Sequence, residues 1–204
     1  MQRTWALWRM SGGVIAVAAM AGLAGCAAGT PNPTVHTTAA ASPAATEKVA
    51  PGDIPDTQAF VTARAPSGRW SLKVPEGWAQ QTMRAGLLFT DKLNVIRADE
   101  RTAAQAPTVA EVRSSEVPAL RGAHANLTVS SVAPFTRSGG SGVVVRYQLD
   151  SAKDPVTGKV HRDAAEEYLF FKGGREVAVT VSGAVGADNV DPWKIVTDSF
   201  RWLR

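Results

Sequence analysis

The run Trp70-Ser71-Leu72-Lys73-Val74-Pro75-Glu76-Gly77-Trp78 decides the fold more than any other stretch of this 204-residue chain. Its first half alternates apolar and polar side chains, so an extended strand here has one apolar face. The Pro-Glu-Gly sequence then turns the chain, because proline and glycine favour the backbone angles of tight turns. A strand of this kind predicts an antiparallel sheet that packs one face against another layer.

Six further segments are predicted to be strands, because apolar residues alternate in them or because they flank turn residues. They cover residues 86–90, 94–98, 126–132, 143–150, 167–171 and 176–182. The first two form a predicted hairpin around Asp91-Lys92. The last two flank Gly173-Gly174, which can adopt the positive φ angles of a two-residue turn. The segment 143–150 alternates most clearly and is expected to be half-buried. Hairpins in series without a crossover helix predict an antiparallel sheet.

Two helices are predicted to pack on this sheet. Thr108 and Glu111 form a capping box, in which each side chain can accept from a free backbone N–H of the other residue. Apolar residues follow at helical spacing at Val109, Val112, Val117 and Leu120, and Pro118 is expected to end or kink the helix. The second helix is expected to begin at Asp191-Pro192 and to carry one apolar stripe formed by Trp193, Val196 and Phe200. The predicted class is therefore α+β, an antiparallel β-sheet flanked by helices.

The N-terminus has the order of a secretory signal peptide. Arg3 and Arg9 precede an apolar stretch at residues 14–23, and small residues follow. An uncleaved transmembrane anchor needs about 20 predominantly apolar residues, whereas this stretch is short and is interrupted by glycines. An ordinary secretory signal followed by an accidental cysteine is the other alternative. The run Leu23-Ala24-Gly25-Cys26, which contains the only cysteine, resembles the cleavage site of bacterial lipoproteins.

This resemblance implies a lipid anchor at Cys26. The sulfur would carry a diacylglyceryl group, the signal peptide would be cleaved after Gly25, and the new N-terminus would be acylated. One acyl chain anchors a protein only marginally, and each buried methylene adds about 0.8 kcal/mol, so two or three chains are needed for stable attachment. The expected location is the extracytoplasmic face of the cell membrane, and the membrane is the expected partner.

Composition divides the rest of the chain into two parts. Residues 26–53 are rich in Pro, Ala, Thr and Ser, so we expect a disordered tether. Residues 54–204 are predicted to form one globular domain.

The net charge is +4, from 22 basic and 18 acidic residues, and it falls to +2 when residues 1–25, with two arginines and no acid, are removed. The mature chain does not concentrate basic residues with aromatics, which argues against a nucleic-acid partner.

The opening strand and the end of the chain together resemble a known family. The strand at residues 70–75, followed by Gly77-Trp78, is similar to the Pro-x-Gly-Trp opening of PsbP-like (Mog1/PsbP) domains. The closing helix leads into Asp198-Ser199-Phe200-Arg201, which resembles their Ser-Phe-Arg ending. The similarity covers residues 68–204 and implies an α/β/α sandwich. With the Cys26 motif and the tether, the chain is similar to actinobacterial lipoproteins of the LpqN/LpqT kind.

The resemblance implies binding rather than catalysis, because PsbP-like proteins are mostly non-enzymatic. We expect a cell-envelope lipoprotein that assists envelope-lipid transport or a membrane complex, with an envelope lipid or a membrane transporter as partner. The alternative is a structural or host-facing surface lipoprotein without a small-molecule ligand. A fold does not by itself fix a function, so both remain open.

Catalytic, metal and cofactor motifs are not predicted. The chain has no Gly-x-Ser-x-Gly motif, and the histidines stand apart from other ligand-type residues, so no cofactor and no metal site is expected. Asp163 and Glu167 could share one face of a strand, but we expect them on an exposed hairpin as a solvated surface.

Aromatic residues supply the one candidate binding site. Trp78, Phe89 and Trp193 could line an apolar pocket between the sheet and a helix, where an acyl chain would fit. The simpler interpretation is that the aromatic residues fill the core of a domain that has no disulfide. The sequence leaves both interpretations open.

Overall fold

The computed structural model describes residues 50–154 and 156–204. The predicted signal peptide, the Cys26 anchor and most of the predicted tether lie outside these residues. The last residues of the tether belong to the folded structure. Asp53 accepts from the backbone N–H of Asp188 at 2.8 Å, and the Gly52 carbonyl accepts from the side chain of Asn94 at 2.8 Å.

The described residues form ten strands and four helical segments. The strands are β1 Phe60–Arg64, β2 Trp70–Pro75, β3 Ala79–Met83, β4 Gly86–Asp91, β5 Asn94–Thr102, β6 Thr128–Arg137, β7 Gly140–Asp150, β8 Arg162–Lys172, β9 Arg175–Ala184 and β10 Arg201–Trp202. The helical segments are α1 Val109–Glu111, a π-helical turn at Val112–Glu116, α2 Val117–Ala123 and α3 Val190–Asp198.

The strands make two antiparallel sheets. The large sheet has the order β3-β4-β5-β9-β8-β7-β6, and the small sheet has the order β1-β2-β10. Both predicted hairpins are present. The β4–β5 turn is centred on Lys92-Leu93, one residue later than predicted, because Asp91 pairs with Asn94. The β8–β9 turn is formed by Gly173-Gly174 with φ angles of 56° and 78°, as the sequence predicts.

Both faces of the large sheet are covered. On one face, the small sheet and α3 enclose a core that includes Trp70, Leu72, Val144, Phe170 and Phe200. On the other face, α1, the π-helical turn and α2 enclose a second core that includes Val112, Leu120, Val143, Val145 and Leu169. The prediction that residues 143–150 are half-buried is therefore wrong for Val143, Val144 and Val145, which are all buried, because a layer lies on each side of this part of the strand. The α+β sandwich itself is confirmed.

The first helix does not end at Pro118. The Thr108 hydroxyl caps it by accepting from the backbone N–H of Glu111 at 3.2 Å, as predicted. Proline has no N–H to donate within the helix. Just before Pro118 the helix widens into the π-helical turn, where the N–H of Val117 donates to the carbonyl of Val112. The helix therefore continues past Pro118, as α2, to Ala123.

The last helix and β6 also begin elsewhere than predicted. α3 starts at Val190 with Asn189 as its N-cap, so Pro192 lies in the first turn and Asp191 does not cap the helix. The Asn189 side chain instead accepts from the backbone N–H of Ile54 at 2.8 Å and so fixes the domain's first residues. β6 begins two residues later than predicted, because Asn126 adopts a φ of 52° that interrupts an extended strand.

Candidate functional site

The three aromatic residues of the predicted apolar pocket lie in or against the first core. Phe89, on β4, is 3% exposed. Trp78 and Trp193 pack against the same core from its edge and are partly buried. None of them lines any of the three cavities described below. This placement is that of side chains that fill a core, which is the simpler of the two interpretations of the sequence.

Aromatic rings also occupy the space between the two sheets. Phe200 stacks on Phe170 with ring centroids 4.2 Å apart, and the centroid of Trp70 lies 6.1 Å from that of Phe200. Phe135 meets Tyr168 and Phe170 edge-on, with centroids 5.0 and 4.9 Å away. Stacked and edge-on contacts at these distances are the favoured geometries of aromatic pairs.

Asp163 and Glu167 are buried, so the prediction that they form a solvated surface is wrong. They lie on β8, which has neighbours on both sides, and point to the face that α1 and α2 cover. Glu167 is 6% exposed. One of its oxygens accepts from the Thr180 hydroxyl at 3.2 Å, and the other has no hydrogen-bond partner among the described residues. Burial, and then the charge of Glu116, raise the pKa of Glu167 to about 7.

An arginine connects the helical layer to the sheet beside Glu167. Arg101 donates to Glu116 of the π-helical turn at 2.6 Å and to Glu176 of β9 at 2.7 Å. A cavity of about 280 Å³ adjoins this group, and all three side chains line it. Burial raises the pKa of Glu176, although the charge of Arg101 opposes the change. Glu111 lines the same cavity, so four carboxyl groups and one guanidinium share this region.

Ser151, His161 and Asp163 form a line of polar contacts that sequence reasoning did not find. The Ser151 hydroxyl lies 3.0 Å from Nδ1 of His161, and Nε2 of His161 lies 3.1 Å from an oxygen of Asp163. All three residues line the cavity of largest volume among those described, at about 660 Å³. A serine, an imidazole and a carboxylate in this order are the groups of a nucleophilic triad.

The hydrogen bonds of Ser151 nevertheless belong to the loop. Its hydroxyl also lies 2.9 Å from the carbonyl oxygen of Ala152 and accepts from the backbone N–H of His161 at 3.1 Å. The backbone N–H of Ser151 donates to the carbonyl of His161 at 2.9 Å. A hydroxyl has one hydrogen to donate, and the Ala152 carbonyl and Nδ1 of His161 are its two acceptors here, both at the base of the loop between β7 and β8.

Arginines are the second feature that sequence reasoning missed. Arg69, Arg84, Arg101 and Arg175 are far apart in sequence and read as ordinary surface charge, yet they line one cavity. No local pattern signals such a cluster, because it depends on which strands are neighbours in the sheet.

Across residues 50–154 and 156–204, no three His, Cys, Asp or Glu side chains are placed to hold a metal ion. In the same part of the chain, no helix has the length and apolar character to span a bilayer.

Comparisons with known proteins bear on the fold. No family model matches the sequence, and no curated protein matches it. The structure is similar to cyanobacterial PsbP (CyanoP) from Synechocystis sp. PCC 6803, with a TM-score of 0.52 and 14% identity over 74% of this chain and 98% of that one. The PsbP-like fold expected from the opening strand is therefore shown.

Two further solved structures match more distantly. They are LpqN, involved in cell envelope biogenesis of Mycobacterium tuberculosis, and the Ran-binding protein Mog1p of Saccharomyces cerevisiae. LpqN gives a TM-score of 0.45 and 13% identity over 73% of this chain and 93% of that one. Mog1p gives 0.46 and 8% identity over 71% of this chain and 96% of that one. Similarity at this level carries no functional residue across to this chain.

Proposed function

We propose that this chain is a lipid-anchored cell-envelope protein on the extracytoplasmic face of the cell membrane, which acts by binding and not by catalysis. The observation that carries the proposal is the run Leu23-Ala24-Gly25-Cys26 after a basic and then an apolar segment. Small residues favour cleavage before Cys26. Several acyl chains on Cys26 would hold the folded domain at the membrane without a spanning helix.

Lipidation is tested by expressing the full chain and its Cys26→Ser variant in a bacterium fed an alkyne-labelled palmitate. We expect the native chain to take up the label, to lose residues 1–25 by intact mass, and to sediment with membranes. The variant should lose the label and leave the membrane fraction after processing. Equal labelling of both chains, or an unprocessed native chain, would contradict the proposal.

Because the core is filled, we favour a partner that binds the outer surface of the domain. Phe89 is buried, and Trp78 and Trp193 pack on the core, so an acyl chain would have to displace packed side chains to enter between sheet and helix. We therefore favour a protein of a membrane complex as partner, with envelope-lipid transport as the process in which it would act. A structural or host-facing surface lipoprotein is the second candidate.

Native mass spectrometry separates a lipid ligand from a protein partner. The full chain would be purified from its own membrane in neutral detergent and sprayed with and without added envelope-lipid extract. We expect the mass of the lipidated protein alone, and crosslinking in intact membranes should then capture one defined partner. A retained lipid of defined mass, lost in Trp78→Ala and Trp193→Ala, would contradict the filled-core argument. If crosslinking captures no specific partner, the structural role is favoured.

The non-enzymatic part of the proposal is tested at Ser151. If the contacts of this serine only close the loop, the full chain should not react with a fluorophosphonate, which labels activated serines. Ser151→Ala should lower the free energy of unfolding by about 1 kcal/mol, the usual contribution of a hydrogen bond. Labelling of the native chain that disappears in Ser151→Ala, but persists in Ser141→Ala, would instead identify a serine hydrolase.

A further inference from the structure

One end of the large sheet brings together four arginines from four separate segments. Arg69 immediately precedes β2, Arg84 lies in the turn between β3 and β4, Arg101 is near the end of β5, and Arg175 begins β9. They line a cavity of about 340 Å³, which we call the arginine cavity. Its other charged residue is Glu100.

Strand pairing places these segments side by side. Arg175 is opposite Thr102 in the β5–β9 ladder. The backbone N–H of Glu100 donates to the carbonyl of Ala85 at 2.8 Å, which holds the β3–β4 turn against β5. The turn before β2 is also held against β5, because the Ser67 hydroxyl donates to Glu100 at 2.6 Å.

Glu100 orients two of the four guanidinium groups. Its side chain is 4% exposed, and it accepts from Arg69 at 2.7 Å, from Arg175 at 3.2 Å and from the indole N–H of Trp70 at 3.2 Å. Desolvation alone would raise the pKa of Glu100, but the hydrogen bonds from Ser67 and Arg69 and the charges of Arg69 and Arg175 lower it overall. The carboxylate is therefore ionised and serves as a fixed anchor.

Most guanidinium donors of Arg69 and Arg175 have no partner among residues 50–154 and 156–204, so they can bind a ligand. Arg69 and Arg175 each contact the same oxygen of Glu100 through one nitrogen, at 2.7 and 3.2 Å, so these two nitrogens lie within about 6 Å of each other. A guanidinium has five N–H donors, and the two side chains are 48% and 41% exposed.

The positive charge of the arginine cavity is only partly neutralised. Arg84 is exposed and has no hydrogen bond or ion pair among the described residues. Arg101 is paired with Glu116 and Glu176. Arg69 and Arg175 share the carboxylate of Glu100. The four arginines therefore face three carboxylates, those of Glu100, Glu116 and Glu176, and an excess of one positive charge remains in a concave site. Concave surfaces of one sign concentrate ions of the opposite charge.

We propose that the arginine cavity binds a phosphate-bearing anion. Guanidinium groups form paired N–H bonds with carboxylates and phosphates alike, and the oxygens of a tetrahedral phosphate can accept from several guanidiniums that approach from different directions. Arg69, Arg84 and Arg175 approach from three different segments. The phosphate can belong to a soluble phosphate compound or to the headgroup of an anionic phospholipid. This inference does not depend on lipidation of Cys26 and survives if that proposal fails.

Isothermal titration calorimetry on the full chain in neutral detergent tests the proposal. One arm titrates inorganic phosphate, and a second titrates micelles that contain phosphatidylglycerol, with phosphatidylcholine micelles as reference. Arg84→Gln removes an unpaired arginine of the cavity, while Arg121→Gln removes the same charge from α2, where Arg121 is exposed. A charge-assisted hydrogen bond contributes about 1.5–3 kcal/mol, so Arg84→Gln should weaken binding about tenfold or more.

The possible outcomes separate the two phosphate sources and the failure of the proposal. Binding in both arms, weakened by Arg84→Gln and not by Arg121→Gln, supports a site for phosphate itself. Binding only to phosphatidylglycerol micelles, with the same variant pattern, supports a headgroup site. Arg175→Lys, which keeps the charge beside Glu100 but loses the planar donor set, should also weaken binding. Absence of binding in both arms, or equal losses in Arg84→Gln and Arg121→Gln, would overturn the proposal.

Discussion

At the scale of single residues, Glu167 makes stability depend on pH. The ordinary pKa of its carboxyl group is 4.5, and in the fold the pKa is about 7. The folded state therefore favours the protonated form. Stability from this group is intact below pH 4.5, declines as pH rises from 4.5 to about 7, and is constant above that range. The total loss corresponds to about 3 kcal/mol.

We expect Glu167→Gln to stabilise the protein at neutral and alkaline pH. A glutamine keeps an oxygen for the Thr180 hydroxyl and carries no charge to bury, so the free energy of unfolding at pH 8 should rise by up to about 3 kcal/mol. At pH 5 the gain should be much smaller, because most of the loss occurs between pH 5 and pH 7. Urea unfolding at both pH values measures this, and the exposed Glu76→Gln is the control. An equal gain at pH 5 would disprove the titration argument.

At the scale of elements, close packing of strand backbones fixes which glycines can be replaced. Gly86 starts β4 opposite β5, and a Cβ atom at this position would lie 2.0 Å from the carbonyl oxygen of Ala98. The two strands would have to separate to make room. Gly122 in α2 has no atom within 4 Å of such a Cβ, so the helix would gain only the better helical propensity of alanine.

Gly86→Ala and Gly122→Ala should therefore change stability in opposite directions. Overpacking of a tight site costs about 1–3 kcal/mol, so Gly86→Ala should lower the melting temperature by several degrees. Gly122→Ala should raise the free energy of unfolding by about 0.5–1 kcal/mol. Thermal unfolding followed by circular dichroism compares the two variants. A neutral Gly86→Ala would mean that β4 and β5 are not held together as closely as described.

At the scale of the whole molecule, Phe200 connects the layers. It follows α3, stacks on Phe170 of the large sheet, and contacts Trp70 and Trp202 of the small sheet. Its side chain is fully buried. Truncation at this position would therefore weaken both sheets and the last helix together.

Phe200→Ala should lower the free energy of unfolding by about 3–5 kcal/mol, the usual cost of deleting a buried aromatic side chain. Ile195→Ala, at a residue on α3 that is 43% exposed, is the matched control and should cost much less. Urea unfolding monitored by tryptophan fluorescence and by far-ultraviolet circular dichroism gives both values. If Phe200→Ala is as mild as the control, the layers do not depend on this aromatic cluster.

The strands and turns could be predicted from local patterns, but the burial of charged groups could not. Alternation in β7 and the pair Gly173-Gly174 are properties of neighbouring residues, so they can be read directly. Glu167 has the sequence signature of an exposed strand residue, because nothing nearby in sequence reveals that a helix from a distant segment covers it. The arginine cavity could not be predicted for the same reason, since its arginines come together only after β5 pairs with β9.

That pairing also has a consequence for the order of folding. β5 is completed at residue 102 and pairs at once with β4, but its second neighbour is β9, and Ser71 of β2 pairs with Arg201 of β10. Contacts so distant in sequence slow folding, because a long loop must close before they form. During synthesis, which starts at the N-terminus, one edge of β5 and one edge of β2 therefore stay unpaired until β9 and β10 have been made. Unpaired strand edges are prone to aggregation during that interval.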